Sequence, residues 1–544
     1  MLSGFRSRGC GCRISPFIRN DHPRCMKKIL GLLVMCALPL SGNAQLDLNA
    51  LKRQSDAKAQ ERKNESRDFQ TERNARWKSF MVERGEEWAK TIANRDLEWS
   101  DLLNDSEWTL FDGFLTNKQP EKPKPTVVPK IETEPVSKPQ LQPIVLPAET
   151  VAKPVPAPVT VPEAEAKPEP LPCKPEEPVK EVDKSSARFI FYGRTVSIAY
   201  DRNLKSFSRK KYGKSEISEF WKAASGTNYT PTVTALMEEK EAIGLNGWGY
   251  YLLVNKFSQQ VYSDSNCSML LTWFLLVRSG LDARVGYNDG GPVLLLPTTT
   301  TLFEMSYVMM DGVKYYVINN ATGSGVRTCP GSYADGHQFD FSQKKSLQLG
   351  GNSAVRTLSF EFKGQLYNMN FRYDADLAEY YKALPQAQFE IFFEASPSTQ
   401  LKNSVRDNLK PIVEKMDKPT ALNFLLQFVQ FSFPYKTDPQ QFGYEKYFYA
   451  DELFFYPYCD CEDRSVLFSY LAHELLGYDV VGTEFSEHMA TAVALDYSVN
   501  GVKYTIGNKT YTVADPTYIG ASVGQCMSKY ETAKPIIHKI DFAQ

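Results

Sequence analysis

Between Pro120 and Pro178 the chain places 17 of its 33 prolines, interleaved with Lys, Glu, Val and Ala. Proline has no backbone N–H and a fixed φ, so such a stretch joins neither a helix interior nor a central strand, and it is too poor in large apolar residues to build a core. The expectation is an extended, semi-rigid spacer reaching on the order of 150 Å or more at about 3.1 Å per residue. Folding is therefore expected on either side of residues 118–184.

Upstream, residues 45–117 are highly charged and lack proline. Trp77, Trp88 and Trp99 recur every 11 residues, followed by Phe80, Ile92 and Leu102 or Leu103. Eleven residues is close to three helical turns, so the spacing predicts a long helix with one tryptophan stripe. The stripe can lie on the protein itself or serve residues 46–115 as an oligomerisation stalk. Further upstream, Met26-Lys-Lys precedes the apolar run Ile29–Leu40 and the small residues of Ser41–Ala44. That is the pattern of a signal peptide, Met26–Ala44. It predicts export to the periplasm or cell surface, with residues 1–25 an upstream extension of a start at Met26.

The mature chain would keep Cys173, Cys267, Cys329, Cys459, Cys461 and Cys526, which is no disulfide scaffold. A net charge of -1 without a basic stripe gives no electrostatic case for nucleic acid.

Downstream, two stretches run in parallel. Phe189-x-Phe191-x-Gly193 and Tyr200-Asp201 correspond to Phe360-x-Phe362-x-Gly364 and Tyr373-Asp374. Cys267 and Cys461 each open an apolar helix, and 52 residues separate Cys267 from Asn319 where 54 separate Cys461 from Asp515. These landmarks predict tandem α+β modules over 185–352 and 353–544, each a cysteine-bearing helix packed on an antiparallel sheet.

In the second module Asp460 suits an N-cap, making Cys461 the first helical residue, with a stop at Gly477. The helix dipole favours a thiolate there, but Asp460, Glu462 and Asp463 oppose it if they face the sulfur, so a partner cation is needed. The three acids are read as capping the helix start rather than ligating a metal. A C-x-C zinc site at Cys459 and Cys461 would need two further ligands, so no metal is expected, and no cofactor. His473 lies 12 residues along the same helix, roughly 18 Å from the sulfur, too far to be its base. His488 instead opens an apolar strand, the chain turns through Val499-Asn500-Gly501-Val502 as in a hairpin, and its return ends at Asp515. Cys461, His488 and Asp515, spaced 27 residues apart, supply a nucleophile, a base and a group to orient it.

Taken together, FVQFSFPYKTD, YCDCEDRSVLFSYLAHELLGYDVV, HMATAVAL and VADPTY resemble the transglutaminase-like cysteine peptidase superfamily over about residues 420–525. The resemblance implies a papain/transglutaminase-like fold with Cys461 as nucleophile, His488 as base, Asp515 as orienter and Gln430 as a contributor to an oxyanion hole. Cys459 stands where the family has Gly. In the first module Glu304 or Met305 stands where the histidine would be and Asn319 replaces the aspartate, so that copy is expected to be non-catalytic. The expected function is an exported thiol enzyme hydrolysing peptide or isopeptide bonds in the cell envelope, on protein or peptidoglycan peptides. The alternatives are a protein-crosslinking transglutaminase and a non-catalytic envelope scaffold.

Overall fold

The computed structural model describes residues 94–120, 124–131, 184–318, 325–333 and 336–542. All belong to one unit, Glu87–Gln544. The signal peptide, Trp77, Trp88, Cys173, Asn319 and most of the proline-rich stretch lie outside the described residues.

The fold is α+β. Helix α1 (94–105) leads into strands β1 (Thr109–Asp112) and β2 (Leu115–Thr116). After the proline-rich stretch come β3 (Lys184–Phe191), β4 (Arg194–Asp201), α2 (Lys214–Ser225), α3 (Thr230–Ile243), α4 (Gly247–Val261) and α5 (Ser265–Arg278), the last starting two residues before Cys267. A sheet follows, made from β5 (Arg284–Asn288), β6 (Gly291–Pro297), β7 (Ser306–Met310), β8 (Val313–Val317) and β9 (Gly325–Thr328).

The second half begins with β10 (Ser353–Phe362) and β11 (Gln365–Asp374). Helices α6 (Asp376–Lys382), α7 (Phe389–Phe393), α8 (Thr399–Val413), α9 (Lys418–Ser432), α10 (Asp438–Gln441), α11 (Glu452–Phe455) and α12 (Cys461–Leu476) follow. It closes with β12 (Val480–Glu484), β13 (Met489–Ala494), β14 (Lys503–Ile506), β15 (Lys509–Ala514) and β16 (Ile536–Lys539).

The opening hairpins of both halves turn on two residues with positive φ, Tyr192-Gly193 and Lys363-Gly364. This geometry matches the right-handed twist of the strands and is why glycine occupies the second position. The first sheet runs β1-β9-β5-β6-β8-β7-β2 and the second β14-β15-β13-β12-β16. Without β1 and β2, the first has the second's order when the second is read from β16 to β14, and every pairing is antiparallel in both.

Residues 94–116 belong to the first half physically. Trp99 and Leu103 of α1 are buried, with Trp99 edge-on to Trp221 and Tyr333, and Asp96 pairs with Arg278. Only Gly113 and Phe114 separate β1 from β2, yet these strands sit at opposite edges of the first sheet. The edges therefore come together, curling the sheet around Val293, Leu295, Val308, Tyr315, Val317 and Val326. Trp99, the tryptophan of the stripe that lies among the described residues, thus packs on the protein itself, and residues 109–112 and 115–116 are strand where the sequence predicts helix.

Candidate active site

Helix α12 is buried from Cys461 to Ala472, which explains why both its faces are apolar. It ends where the sequence predicts: Gly477 takes the left-handed conformation, and its N–H donates to the His473 carbonyl. Its start is also where the sequence places it, with Asp460 at the N-cap and Cys461 the first helical residue. The Asp460 N–H donates to the Asp463 carboxylate at 3.0 Å, so Asp463 supplies the capping bond, while the Asp460 side chain makes none.

The carboxylates of Asp460 and Glu462 instead hold a cation from far away in sequence. Lys124 Nζ, from within the proline-rich stretch, lies 2.5 Å from Asp460, 2.9 Å from Glu445, 3.0 Å from Glu462 and 3.5 Å from Asp438. Its side chain is 1% exposed. Burial works against this ammonium, but Glu462, Asp460 and Asp438 together hold it protonated well beyond the ordinary lysine range. Burial, opposed by Lys124, pushes Asp438 up to about 7. The donor atoms of Asp460, Cys461 and Glu462 lie within 4.8 Å of one another, as do those of Asp438, Asp460 and Asp463, a spacing suited to a cation. Lys124 is the cation that fills this role here.

Cys461 and His488 are both 0% exposed. His488 Nε2 is 2.8 Å from Asp515 Oδ2, and Asp515 Oδ1 accepts the N–H groups of Thr517 and Tyr518, which fixes the carboxylate. His488 Nδ1 is buried without a hydrogen-bond partner. One ring face stacks on Tyr530 at 5.7 Å. Ser465, one turn beyond Cys461, donates to both the Cys461 and the Met489 carbonyls and so ties the start of α12 to the residue after His488. The thiol itself donates to Glu462 Oε2 at 3.0 Å rather than to His488. Burial, then Glu462 and Asp460, push the Cys461 thiol well above its ordinary range, with Lys124 pulling the other way.

Gln430 does not match the oxyanion role. Its Nε2 donates to the carbonyls of Asp515 and Ala521, both at 3.0 Å, and its Oε1 accepts the Gly520 N–H at 3.1 Å. Both amide hydrogens are committed, so Gln430 braces the loop behind Asp515. Cys459 is a buried thiol pushed up to about 12 by burial, 3.8 Å from the Pro434 carbonyl. His473 accompanies Phe542 and the Tyr478 carbonyl near the far end of α12.

Residues Asn500 and Gly501 do not join β13 to its neighbour, because β15 lies between β13 and β14. The hairpin is β14-β15, with Ile506 opposite Lys509, and Asp515 follows its second strand.

In the first half the strand order puts the counterpart of His488 elsewhere than at Glu304 or Met305. His488 belongs to the loop joining β12 to β13, whose counterpart joins β5 to β6; Glu304 and Met305 lie between β6 and β7. Glu484 pairs with Met489, leaving a four-residue loop, whereas Asn288 pairs with Gly291 around Asp289-Gly290 alone. A turn two residues shorter has no place for the histidine. Cys267 bonds to the Tyr212 hydroxyl at 3.1 Å, and burial pushes its thiol up to about 11.

Lys124 is the residue that sequence reasoning missed. Acids crowding the thiol showed that a cation was required, but nothing distinguishes Lys124 locally from Lys122 or Lys130.

Comparisons with protein-family models, curated proteins and solved structures find no match to this chain.

Proposed function

We propose that the chain is an exported thiol enzyme that hydrolyses peptide or isopeptide bonds of the cell envelope, and that it is a remote transglutaminase-like protein. The observation that carries the reading is the buried His488–Asp515 pair, whose second ring nitrogen has no partner, held beside the helix start bearing Cys461. In this reading Cys461 Sγ attacks the amide carbonyl carbon. His488 Nδ1 takes the thiol proton and delivers it to the departing amine, while Asp515 stabilises the imidazolium through Nε2. Water then attacks the thioester, giving up a proton to His488, and the thiol is released with that proton. The common strand order supports treating the halves as copies of one module, with the short Asp289-Gly290 turn leaving the first without a base.

One observation favours a binding role instead: the thiol is held neutral and covered beside Lys124. Incubating the full chain and its Lys124→Ala variant with envelope fractions, and following amide cleavage by mass spectrometry, separates the readings. The enzyme predicts release that disappears with Cys461→Ala and with His488→Ala. Release unchanged in those variants, or none from either starting chain, refutes it.

A further inference from the structure

Residues Lys124–Ile131 lie across the candidate site as a strap. The Tyr435 hydroxyl donates to the Pro125 carbonyl at 2.8 Å. Further along, the Ile519 N–H donates to the Pro129 carbonyl at 2.8 Å and the Ile131 N–H to the Ile519 carbonyl at 2.9 Å, a parallel bridge four residues after Asp515. Between these anchors Thr126 and Val127 are exposed. The strap is thus a peptide, bent at Thr126 and Val127, held by its main chain at two points and by one deeply buried side chain. Main-chain bridging combined with a side-chain pocket is how peptide ligands are recognised.

The pocket is chemically selective. Asp438, Glu445, Asp460 and Glu462 surround the ammonium, and one oxygen of Glu462 serves both Lys124 Nζ and Cys461 Sγ. Asp460 Oδ1 is buried without a hydrogen-bond partner. Four ionised carboxylates inside a protein need a counter-charge or must take up protons, so if the strap leaves at neutral or alkaline pH, the pocket favours another cation in place of its lysine. A neutral or acidic group would leave them opposed. The bound ammonium is a recognition group and not an acyl acceptor, since held in its protonated form it has no lone pair with which to attack.

Resting on the reading of Cys461 as a nucleophile, we propose that the strap groove is the substrate groove. Its ligand is a peptide carrying a lysine-type primary ammonium bound by Asp438, Glu445, Asp460 and Glu462, and Lys124–Ile131 is a built-in occupant of that groove. Such a substrate brings a positive charge beside the thiol. It thereby restores, opposite Glu462 and Asp460, the counter-charge that the departure of Lys124 removes.

The test reads binding alone, in full-length protein carrying Cys461→Ala and Lys124→Ala. The probes are two N-acetylated fluorescent peptides, Lys-Pro-Thr-Val-Val-Pro-Lys-Ile and the same peptide with Ala in first position, followed by anisotropy. The lysine peptide is expected to bind on the order of 30-fold more tightly, the lower range for truncating one member of a buried charge pair. Equal binding of the two peptides, or none, overturns the proposal. If Lys124→Ala does not fold, Lys124→Met in the Cys461→Ala background, which keeps the apolar stem and removes the competing ammonium, is tested with the same peptides and criterion. Selective capture by a chain that releases nothing from envelope fractions would sink the thiol-enzyme reading and leave the ammonium pocket standing. Release without selective capture would do the reverse.

Discussion

Replacing Lys124 by Met keeps the apolar stem and removes the charge from among four buried carboxylates. Carboxylate oxygens lie 2.5, 2.9, 3.0 and 3.5 Å from Nζ. At an effective dielectric of about 20, a contact near 3 Å is worth about 5 kcal/mol of attraction, but mutual repulsion of the acids and dehydration of the ammonium offset much of the sum. Breaking a buried ion pair on one side costs about 3–5 kcal/mol, and that is the loss expected at pH 8. The pH dependence is more diagnostic than the size. Asp438 is already raised to about 7 with Lys124 present, and losing the lysine's pull raises it further. The folded variant therefore binds protons that the unfolded chain, with ordinary carboxyls, has released. Its stability falls as pH rises, by about 1.4 kcal/mol per pH unit for each extra proton. Urea denaturation at pH 5.5, 7 and 8.5, read by fluorescence and circular dichroism, should show the deficit against the unsubstituted chain shrinking towards acid. A deficit below about 1 kcal/mol at pH 8, or one that does not vary with pH, would refute the view of Lys124 as the counter-charge of the site.

Gln430→Met should lose roughly 2–3 kcal/mol from three hydrogen bonds and expose the 515–521 loop to faster hydrogen exchange; lost turnover with unchanged exchange and stability would restore an oxyanion role. His538 lies 2.9 Å from Glu390 and 2.6 Å from Glu484; burial disfavours its charge, but the two carboxylates raise it to about 9. Since that folded-state value exceeds the ordinary 6.5, its stabilisation is complete below pH 6.5 and disappears as pH rises through 9. His538→Gln should therefore flatten the melting profile over this window, with a loss of at most about 3 kcal/mol at pH 6. On the proposed thiol-enzyme reading, Cys459→Ala should leave cleavage unchanged, and a fall of more than about tenfold, 1.4 kcal/mol, would contradict its role as a buried filler.

Local rules carried the sequence reading well where the determinants are local. Gly477 ends α12 because a left-handed residue is needed there, and the positive-φ glycines 193 and 364 make the repeated hairpins visible from a short pattern. His488 and Asp515 were legible because each adjoins a strand of one sheet. The position matching His488 was not legible in the first half: strand order puts it in the Asp289-Gly290 turn between β5 and β6, whereas Glu304 and Met305 lie one strand further on. Gln430 was misread because its partners, Asp515, Gly520 and Ala521, are set by the packing of a distant loop. The strap was hidden by composition. Proline removes donors but leaves carbonyls, and it is the carbonyls of Pro125 and Pro129 that Tyr435 and Ile519 use.

The strap also sets a concentration scale. β2 pairs with β7, and Asn117 Nδ2 donates to the Leu302 carbonyl and the Tyr316 hydroxyl, so the chain is anchored seven residues before Lys124. A lysine on so short a tether meets its carboxylates at an effective concentration in the mM range, whatever the protein concentration. Free lysine and simple amines at lower levels would leave it seated. A polymer that displays many ammonium groups along one surface can match that local density, so the site would answer to the crowding of positive charge on a scaffold more than to the amount of any dissolved ligand.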